Sequence, residues 1–442
     1  MKKSHQQQRG NARTKTPSRR QIEMQMLSLD QWLDESHRVR DIWQYVESLD
    51  LSELYLSIKS TQDNVGRDAI DPRILFALWL FATLEGTSSA RRIAELTTRD
   101  IPYMWICGGV SVNHHRLSDF RTEHSDLLER ILTETIAVLM LHDLVDLNTI
   151  GQDGMRVRAS AGSGSFRRQV SLDKALEQAE KHIKQVQAEN DEDHDGGDRR
   201  RRAAKERAAR EKKERIEAAL LEMEDMQARY KKRSSSEKRS EPRASTTDPE
   251  ARRMKMGDNG TRPAMNVQFS SDGAAQMVVA VDVTSQGSDC GLMKPLYDDV
   301  CHRYTVVPEK YLVDGGFGKQ ADITHVEKAG TQVYAPLYAE QKQLDKGLDP
   351  YASRPKETAE MTAHRQRMGT EEAKTIYRSR AMIAEFPNAD CRNRGLTQFR
   401  VRGLAKAKAQ TLWHVLIYNY LRMKKLICPR REISYLEIVM AS

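Results

Sequence analysis

Apolar residues recur at every third or fourth position between residues 21 and 147, which is the spacing of helices that bury one face. The run at residues 74–80 is the densest. Asp71 and Pro72 stand just before this run as an N-cap and a first-position proline, and Gly86 follows as a stop signal. The pattern predicts an all-helical N-terminal domain over residues 21–147, preceded by a disordered basic tail at residues 1–20.

Further helix signals follow in the same region. Ser88 or Ser89 can cap a helix at residues 90–96, Gly108 and Gly109 break the pattern, and helices are predicted at residues 111–120 and 125–144. Two short helices around a glycine turn could form a helix-turn-helix that faces DNA. A helical packing module with a polar face is the alternative, and the sequence leaves both open. The side chains that would face DNA are Asn113, His114, Arg116 and Arg121.

Beyond residue 144 the spacing of the apolar residues shortens from that of a helix to that of a strand. Val145, Leu147 and Ile150 lead into residues 151–154, and alternating polar and apolar residues continue to Ala159, which predicts a hairpin. Further strands are predicted at residues 265–269, 276–284, 311–313 and 331–334. This combination of helices and strands indicates a mixed α/β core.

A charged segment interrupts the predicted strands. Its apolar residues follow a heptad pattern in two stretches, which predicts a helical hairpin with its turn at residues 190–198. Whether this arm contacts DNA or is a solvated surface stays open, because runs of charge are most often solvated. The two apolar seams are Leu172, Leu176, Ala179, Ile183 and Val186, and then Ile216, Leu220, Met223 and Tyr230.

Composition narrows the classes of function. The 442 residues carry a net charge of +8, which favours a polyanionic partner. The five cysteines are scattered without zinc-ligand spacing, which fits a reducing cytosol. The basic N-terminus lacks an apolar signal segment, and no stretch approaches the roughly 18 apolar residues of a membrane span. We therefore expect a cytoplasmic protein without a membrane partner.

Two aspartates stand where strands are predicted to end. Asp153 precedes Gly154, and Asp314 follows the strand at residues 311–313 and precedes Gly315. A strand end holds a carboxylate rigidly, and we expect the glycines to let a phosphate approach. Magnesium prefers such oxygen ligands, and two-metal phosphodiester chemistry needs several of them together. Each aspartate-glycine pair is also an ordinary turn signal.

A third acid is expected from a helix packed beside the sheet, and Glu385 is the candidate. Arg378, Glu385 and Arg392 are seven residues apart, so helical spacing would align them along one face. An ordinary surface ion cluster is the alternative. The acids that compete for the role are Asp282, Glu371 and Glu372.

These segments resemble the DDE transposases of bacterial insertion sequences, in particular the IS eleven-eighty-two branch. The resemblance covers most of the chain. Tyr377, Arg380, Glu385 and Arg392 are similar to the tyrosine, arginine, glutamate and lysine signature of the wider group, with arginine in place of the usual lysine and one spacing different. Other similar segments lie at residues 70–80, 107–113, 117–121, 151–154, 312–317 and 396–404.

The resemblance implies an RNase H-like catalytic core in which Asp153, Asp314 and Glu385 are the catalytic acids. They would hold two Mg²⁺ ions, which Mn²⁺ could replace. Tyr377, Arg380 and Arg392 would bind DNA in the core, and Arg116 and Arg121 in the N-terminal domain. The implied activity is cleavage of double-stranded DNA at the terminal inverted repeats, followed by transfer of the 3′-OH ends into target DNA.

The resemblance further implies a homodimer or higher oligomer on DNA, in the cytoplasm and associated with the nucleoid. The catalytic domain would comprise residues 148–170 and 250–425, with the helical insertion at 171–249 and a C-terminal tail at 426–442. Two other classes are weighed: a catalytically inactive DNA-binding relative that regulates its element, and an adaptor organised by the heptad arm.

Overall fold

The computed structural model describes residues 26–60, 68–192, 199–231 and 241–427. The predicted N-terminal tail and nearly all of the predicted C-terminal tail lie outside these ranges. Within them, no helix is long and apolar enough to cross a membrane. The helices that precede the main sheet are α1 (Leu29–Trp32), α2 (Arg38–Ser48), α3 (Ser52–Leu56), α4 (Pro72–Leu84), α5 (Ala90–Leu96), α6 (Ile101–Cys107), α7 (His114–Glu123) and α8 (Ser125–Leu141).

The helix starts in this region follow the capping signals. Asp71 accepts a hydrogen bond from the backbone N–H of Arg73, with Pro72 in the first turn of α4. Ser89 caps α5, and the side chain of Asn113 caps α7 by accepting from the N–H of Arg116. The predicted helices are therefore confirmed, and Asn113 has a structural task at the start of α7.

Arg121 corrects the expectation of a DNA-facing side chain. It is only 5% exposed, donates a hydrogen bond of 2.9 Å to the carbonyl oxygen of Ser88, and lies 4.9 Å from the ring of Trp79. Burial lowers the pKa of its guanidinium to about 10. Arg121 stands on the inward face of α7 together with the buried Leu117, so the helical period turns it into the core.

We expect Arg121→Ala to lower the free energy of unfolding by about 1 to 3 kcal/mol, because it removes a buried hydrogen bond and a cation–π contact. The exposed Arg116 on the same helix is the matched control, and Arg116→Ala is expected to change stability by less than about 0.5 kcal/mol. Urea unfolding measures both. Unchanged stability of Arg121→Ala together with weakened DNA binding would contradict this assignment.

The main sheet is mixed. The described chain forms it from β1 (Thr149–Arg158), β4 (Arg252–Lys255), β5 (Thr261–Asp272), β6 (Val278–Thr284), β7 (Lys310–Leu312) and β8 (Gln332–Tyr334). Its strands run in the order β4-β5-β1-β7-β8, with β6 also paired to β5. β1, β5 and β6 are antiparallel neighbours, whereas β7 and β8 run parallel to β1. β2 (Phe166–Arg167) and β3 (Ala244–Ser245) form a small separate pair.

The predicted hairpin at residues 145–159 is wrong. β1 is one continuous strand that pairs with β5 from Ile150 to Arg158, and Asp153 and Gly154 lie in its middle. The turn signal of an aspartate-glycine pair is overridden because the whole strand gains a ladder of hydrogen bonds with β5. The other strand predictions are confirmed within a few residues.

The charged segment forms the predicted helical hairpin, from α9 (Gln169–Glu192) and α10 (Arg199–Lys231), which pack against each other. Leu172, Ala179 and Val186 of the predicted seam are buried, as are Ile216 and Met223. The predicted turn falls largely at residues 193–198, outside the described residues. Glu222 of α10 forms an ion pair with Arg252 of β4, which ties the arm to the sheet.

The remaining helices come after β6 in sequence, with α11 and α12 between the last strands of the sheet. The last of them, α17, packs against α4, α7, α8 and β6, so one buried apolar cluster extends from Leu33 to Ile427. The amide of Asn419 pairs with both the N–H and the carbonyl oxygen of Val278 in β6. These helices are α11 (Met293–Tyr304), α12 (Gln320–Lys328), α13 (Glu340–Leu344), α14 (Ala359–Met368), α15 (Glu371–Arg378), α16 (Phe386–Asn393) and α17 (Leu404–Ile427).

Candidate active site

The two strand-borne aspartates meet because β1 and β7 are parallel neighbours. Gly151 of β1 stands opposite Leu312 of β7, so the positions two residues further along each strand are Asp153 and Asp314. The sheet pairing stops at this point, and the chain after β7 turns away. Asp314 accepts a hydrogen bond of 2.8 Å from the N–H of Gly316 in a short 3₁₀ turn at Gly315–Phe317. The exposed glycines leave this edge of the sheet open to solvent.

The helical segment that carries Glu385 lies directly on β1. A Cβ atom at Gly151 would come within 2.7 Å of Ile383 and 3.3 Å of Ala384, so only glycine permits this approach. Successive side chains of a strand alternate between faces, so Asp153 points to the same face as Gly151. Asp153 and the helix of Glu385 therefore share one face of the sheet.

Gly154 has a different role from the one expected. A Cβ atom there would lie 2.2 Å from Nε2 of Gln268 and 2.6 Å from Oδ1 of Asp289, on the opposite face of the sheet. The glycine thus makes room for a buried polar network of this chain, in which Gln268 donates to Asp289. The expectation that Gly154 lets a substrate phosphate approach stays a prediction.

Residues Ala381–Glu385 form a π-helix, which sets the orientation of Glu385. In an α-helix, residues three and four apart face one another, whereas the π-helix has hydrogen bonds from i to i+5. This geometry brings together Arg380 and Glu385, five residues apart. Nη2 of Arg380 donates to Oε1 of Glu385 at 3.0 Å, and Nη1 lies 4.0 Å from Oδ1 of Asp153. Arg380 therefore stands between two of the three acids.

Asn388 is the site residue that the sequence did not reveal. Its side-chain amide donates a hydrogen bond of 2.8 Å to Oδ2 of Asp153. The residue is 5% exposed, and its Oδ1 atom has no hydrogen-bond partner among the described residues. Asn388 lies three residues after Glu385, on a neighbouring position of the helix surface, and that spacing was the available signal.

The electrostatics confirm that the three acids lie near one another. Burial raises the pKa of Asp153 to about 6, the charge of Arg380 opposes the rise, and Asp314 and Glu385 add to it. Burial also raises the pKa of Tyr377, while the charge of Arg380 opposes this rise and the charges of Asp314 and Glu385 add to it. An uncompensated negative charge therefore builds up around Asp153 when all three carboxylates are ionised.

Two of the competing acids, Asp282 and Glu371, do not join this group. Gln268 of β5 pairs with Gly154 of β1 on one side and with Asp282 of β6 on the other. Directly paired residues share a face of the sheet, so Asp282 lies with Gly154 on the face opposite to Asp153. Glu371 is exposed and pairs with Lys374. Arg378 is also exposed, and its positive charge helps to lower the pKa of Glu371. Arg392, in contrast, lines a cavity beside Gly154.

The acids are close but are not arranged as a finished metal cage. In the described part of the chain, no three carboxylate, imidazole or thiol groups are placed to hold one ion. The chemistry of the site nevertheless fits a hard cation, since the unsatisfied Oδ1 of Asn388 and the crowded carboxylates are all oxygen donors. Glu385 is about half exposed, so its side chain can turn from Arg380 toward an ion.

Comparison with protein families finds two matches in this chain. Residues 27–123 match the Transposase domain (DUF772), and residues 242–420 match the Transposase DDE domain. The chain belongs to the DDE transposases. No curated protein and no solved structure matches the chain.

The match to the DDE domain places two of the acids of this transposase within one matched region, Asp314 and Glu385. Asp153 precedes that region, and the helical arm separates it in sequence from the rest of the sheet. The tertiary structure nonetheless pairs β1 with both β5 and β7. The strand of Asp153 is therefore an integral part of the fold that carries the other two acids.

Proposed function

We propose that this transposase cleaves double-stranded DNA at the terminal inverted repeats of its element and transfers the 3′-OH ends into target DNA. The observation that carries the proposal is the convergence of Asp153, Asp314 and Glu385, with Arg380 between Asp153 and Glu385. Three acids from separate elements, with a guanidinium among them, suit a reaction at a phosphodiester.

The order of the sheet supports an RNase H-like core. Three antiparallel strands, β1, β5 and β6, are followed in sequence by two strands, β7 and β8, that run parallel to β1 on its other side. Asp153 lies on β1 and Asp314 follows β7, its parallel neighbour, so both acids come from the middle strands of this sheet. We take this arrangement as the catalytic domain, with the helices before residue 148 as the domain that binds the inverted repeats.

Asp153, Asp314 and Glu385 would hold the divalent cations, for which we propose two Mg²⁺ ions with Mn²⁺ as a substitute. Such ions supply Lewis-acid stabilisation of the oxygens that enter and leave the phosphorus. The protein contributes the rest. Asn388 fixes one oxygen of Asp153. Nη1 of Arg380, which lies 4.0 Å from Oδ1 of Asp153 and has no hydrogen-bond partner among the described residues, would bind a non-bridging phosphate oxygen.

Further contacts place the DNA. Tyr377 is half-buried beside Arg380 and can pack against the sugar of the reacting nucleotide, and Arg392 is exposed and can hold a neighbouring phosphate. Arg116 on α7 would contact the inverted repeat. Because transposition joins two DNA ends, we propose a dimer or higher oligomer on DNA, acting in the cytoplasm at the nucleoid.

The test is the cutting of a labelled duplex that carries the terminal repeat of the element. We expect the wild type to produce 3′-OH ends with Mg²⁺ and none with EDTA, and Asp314→Asn to produce none in either condition. Gel analysis of the labelled strand measures the products. Binding of the repeat without cleavage by the wild type, with Mn²⁺ and paired ends also tried, would favour a catalytically inactive DNA-binding relative.

A further inference from the structure

A basic cavity of about 810 Å³ is lined in part by β1, the strand that carries Asp153. Its lining includes Gly154, on the face of the sheet opposite to Asp153, and Arg392 of α16, and it reaches the turn between β4 and β5. Five of its lining residues are cations and one is an acid, Asp258. The cations are Arg156, Arg158, Lys255, Arg262 and Arg392.

A second cavity, of about 430 Å³, continues from the first toward the helical arm. The two cavities share Gly287, and neighbouring residues of β4 line both, with Arg253 in the second and Lys255 in the first. The far wall of the second cavity comes from the end of α10, at Met226, Arg229 and Tyr230. Together the cavities form one basic track that runs from the strand of Asp153 to the helical arm.

Some of the cations in the track are committed to the fold. Arg156 pairs with Asp289, Arg252 with Glu222, and Arg262 with Asp258. A second group has no carboxylate within ion-pair distance among the residues that the structure describes, and its members are exposed. This group consists of Arg158, Arg243, Arg253, Lys255 and Arg392.

The two groups differ in what they can do. Ion pairs such as Arg252 with Glu222 hold the arm against the sheet and so fix the shape of the track. Arg253 and Lys255 stand two residues apart on β4, so they project from the same side of the strand. A row of cations without partners along a groove is the arrangement that neutralises a polyanionic backbone.

We propose that this track binds the sugar–phosphate backbone of the DNA that flanks the reacting phosphodiester. The identity of the polyanion rests on the proposed function. The track gives the helical insertion a role in the reaction, because α10 forms its outer wall. It also makes Arg253 and Lys255 residues that bind DNA without reading its sequence, since phosphate contacts carry no base information.

The test is the salt dependence of DNA binding by the full chain in EDTA, so that cleavage plays no part. The variant is Arg253→Gln with Lys255→Gln. The matched control is Lys328→Gln with Lys425→Gln, which removes two exposed positive charges outside the track. We expect the slope of log K against log salt concentration to fall in magnitude by about 2 in the variant and to stay unchanged in the control.

Equal slopes of log K against log salt concentration for the variant and the wild type would overturn the proposal that the track binds DNA. Thermal unfolding of each variant verifies that the fold is intact. Asp153→Asn, measured alongside, is expected to keep the wild-type slope while losing cleavage. The failures of the two proposals can therefore be distinguished. A wild type that binds DNA but never cuts it contradicts the proposed function. The proposal that the track binds DNA is tested by the salt dependence of binding alone.

Discussion

Replacing Asp153 by asparagine is expected to abolish DNA cleavage and at the same time to stabilise the metal-free protein. Burial holds the pKa of Asp153 at about 6, against an ordinary value of 3.8. A carboxyl whose pKa is raised by folding costs stability once it ionises, and the loss develops between the unfolded and the folded pKa. A difference of about 2 pKa units corresponds to about 3 kcal/mol.

The sign of this effect can be measured. As the pH rises from about 4 to above 6, the wild type should lose up to about 3 kcal/mol of unfolding free energy from this group, and Asp153→Asn should not. Asparagine keeps the shape of the side chain and can still accept the hydrogen bond from Asn388. We therefore expect the variant to be about 2 to 3 kcal/mol more stable than the wild type at pH 7, by urea unfolding in EDTA.

Asp282→Asn is the matched control. Asp282 belongs to the same sheet but lies on the opposite face, so its replacement is expected to preserve cleavage and to leave the pH dependence of stability as in the wild type. Mg²⁺ should stabilise the wild type and Asp282→Asn by mass action, and Asp153→Asn much less. An Asp153→Asn protein that still cleaves DNA would remove Asp153 from the site.

Replacing Arg380 by glutamine is expected to lower cleavage at pH 7 by about 100-fold or more and to shift its pH dependence. Arg380 is the main group that opposes the raised pKa of Asp153. Without it the pKa of Asp153 should rise further, so the carboxylate would be lost at a higher pH as the solution is acidified. The acidic limb of the cleavage profile should therefore move to higher pH.

Arg380→Lys separates charge from geometry. Lysine retains the positive charge, so the acidic limb should stay near its wild-type position, while the rate on the plateau falls because lysine lacks the planar fork of arginine. Single-turnover cleavage of the labelled repeat between pH 5 and 9 provides the profile, with both variants measured beside the wild type. A profile of Arg380→Gln that keeps the wild-type limb would show that Arg380 does not control the ionisation of Asp153.

Local signals accounted for the elements of the fold. The cap of α4 at Asp71, the cap of α5 at Ser89 and the apolar seam of the arm are all interactions between residues a few positions apart. Such interactions repeat with the period of the helix, so the sequence displays them directly. The strands around Asp314 are likewise visible as short apolar runs.

Part of the site could be predicted because local signals also mark the strands and the helix that carry its acids. Asp153 and Asp314 were candidates because of their places beside predicted strands, and Glu385 because of its place on a predicted helix. The resemblance to a family then implied that the three act together. Their roles as catalytic acids stay predictions, although the structure brings all three into one electrostatic cluster. Arg121 was wrongly expected to face DNA, because the sequence of one helix does not show which neighbours cover its polar face.

The amino-acid pattern was enough to predict where the helices and most of the strands lie, the heptad arm, the basic charge and the acids that stand in or beside strands. The three-dimensional fold was needed to show that β1 is one strand, that Arg121 is buried, and that Asn388 holds Asp153 across 235 positions of the chain. The physical reason is the range of the interactions: periodicity records contacts within an element, whereas sheet pairing and burial depend on residues far apart in sequence.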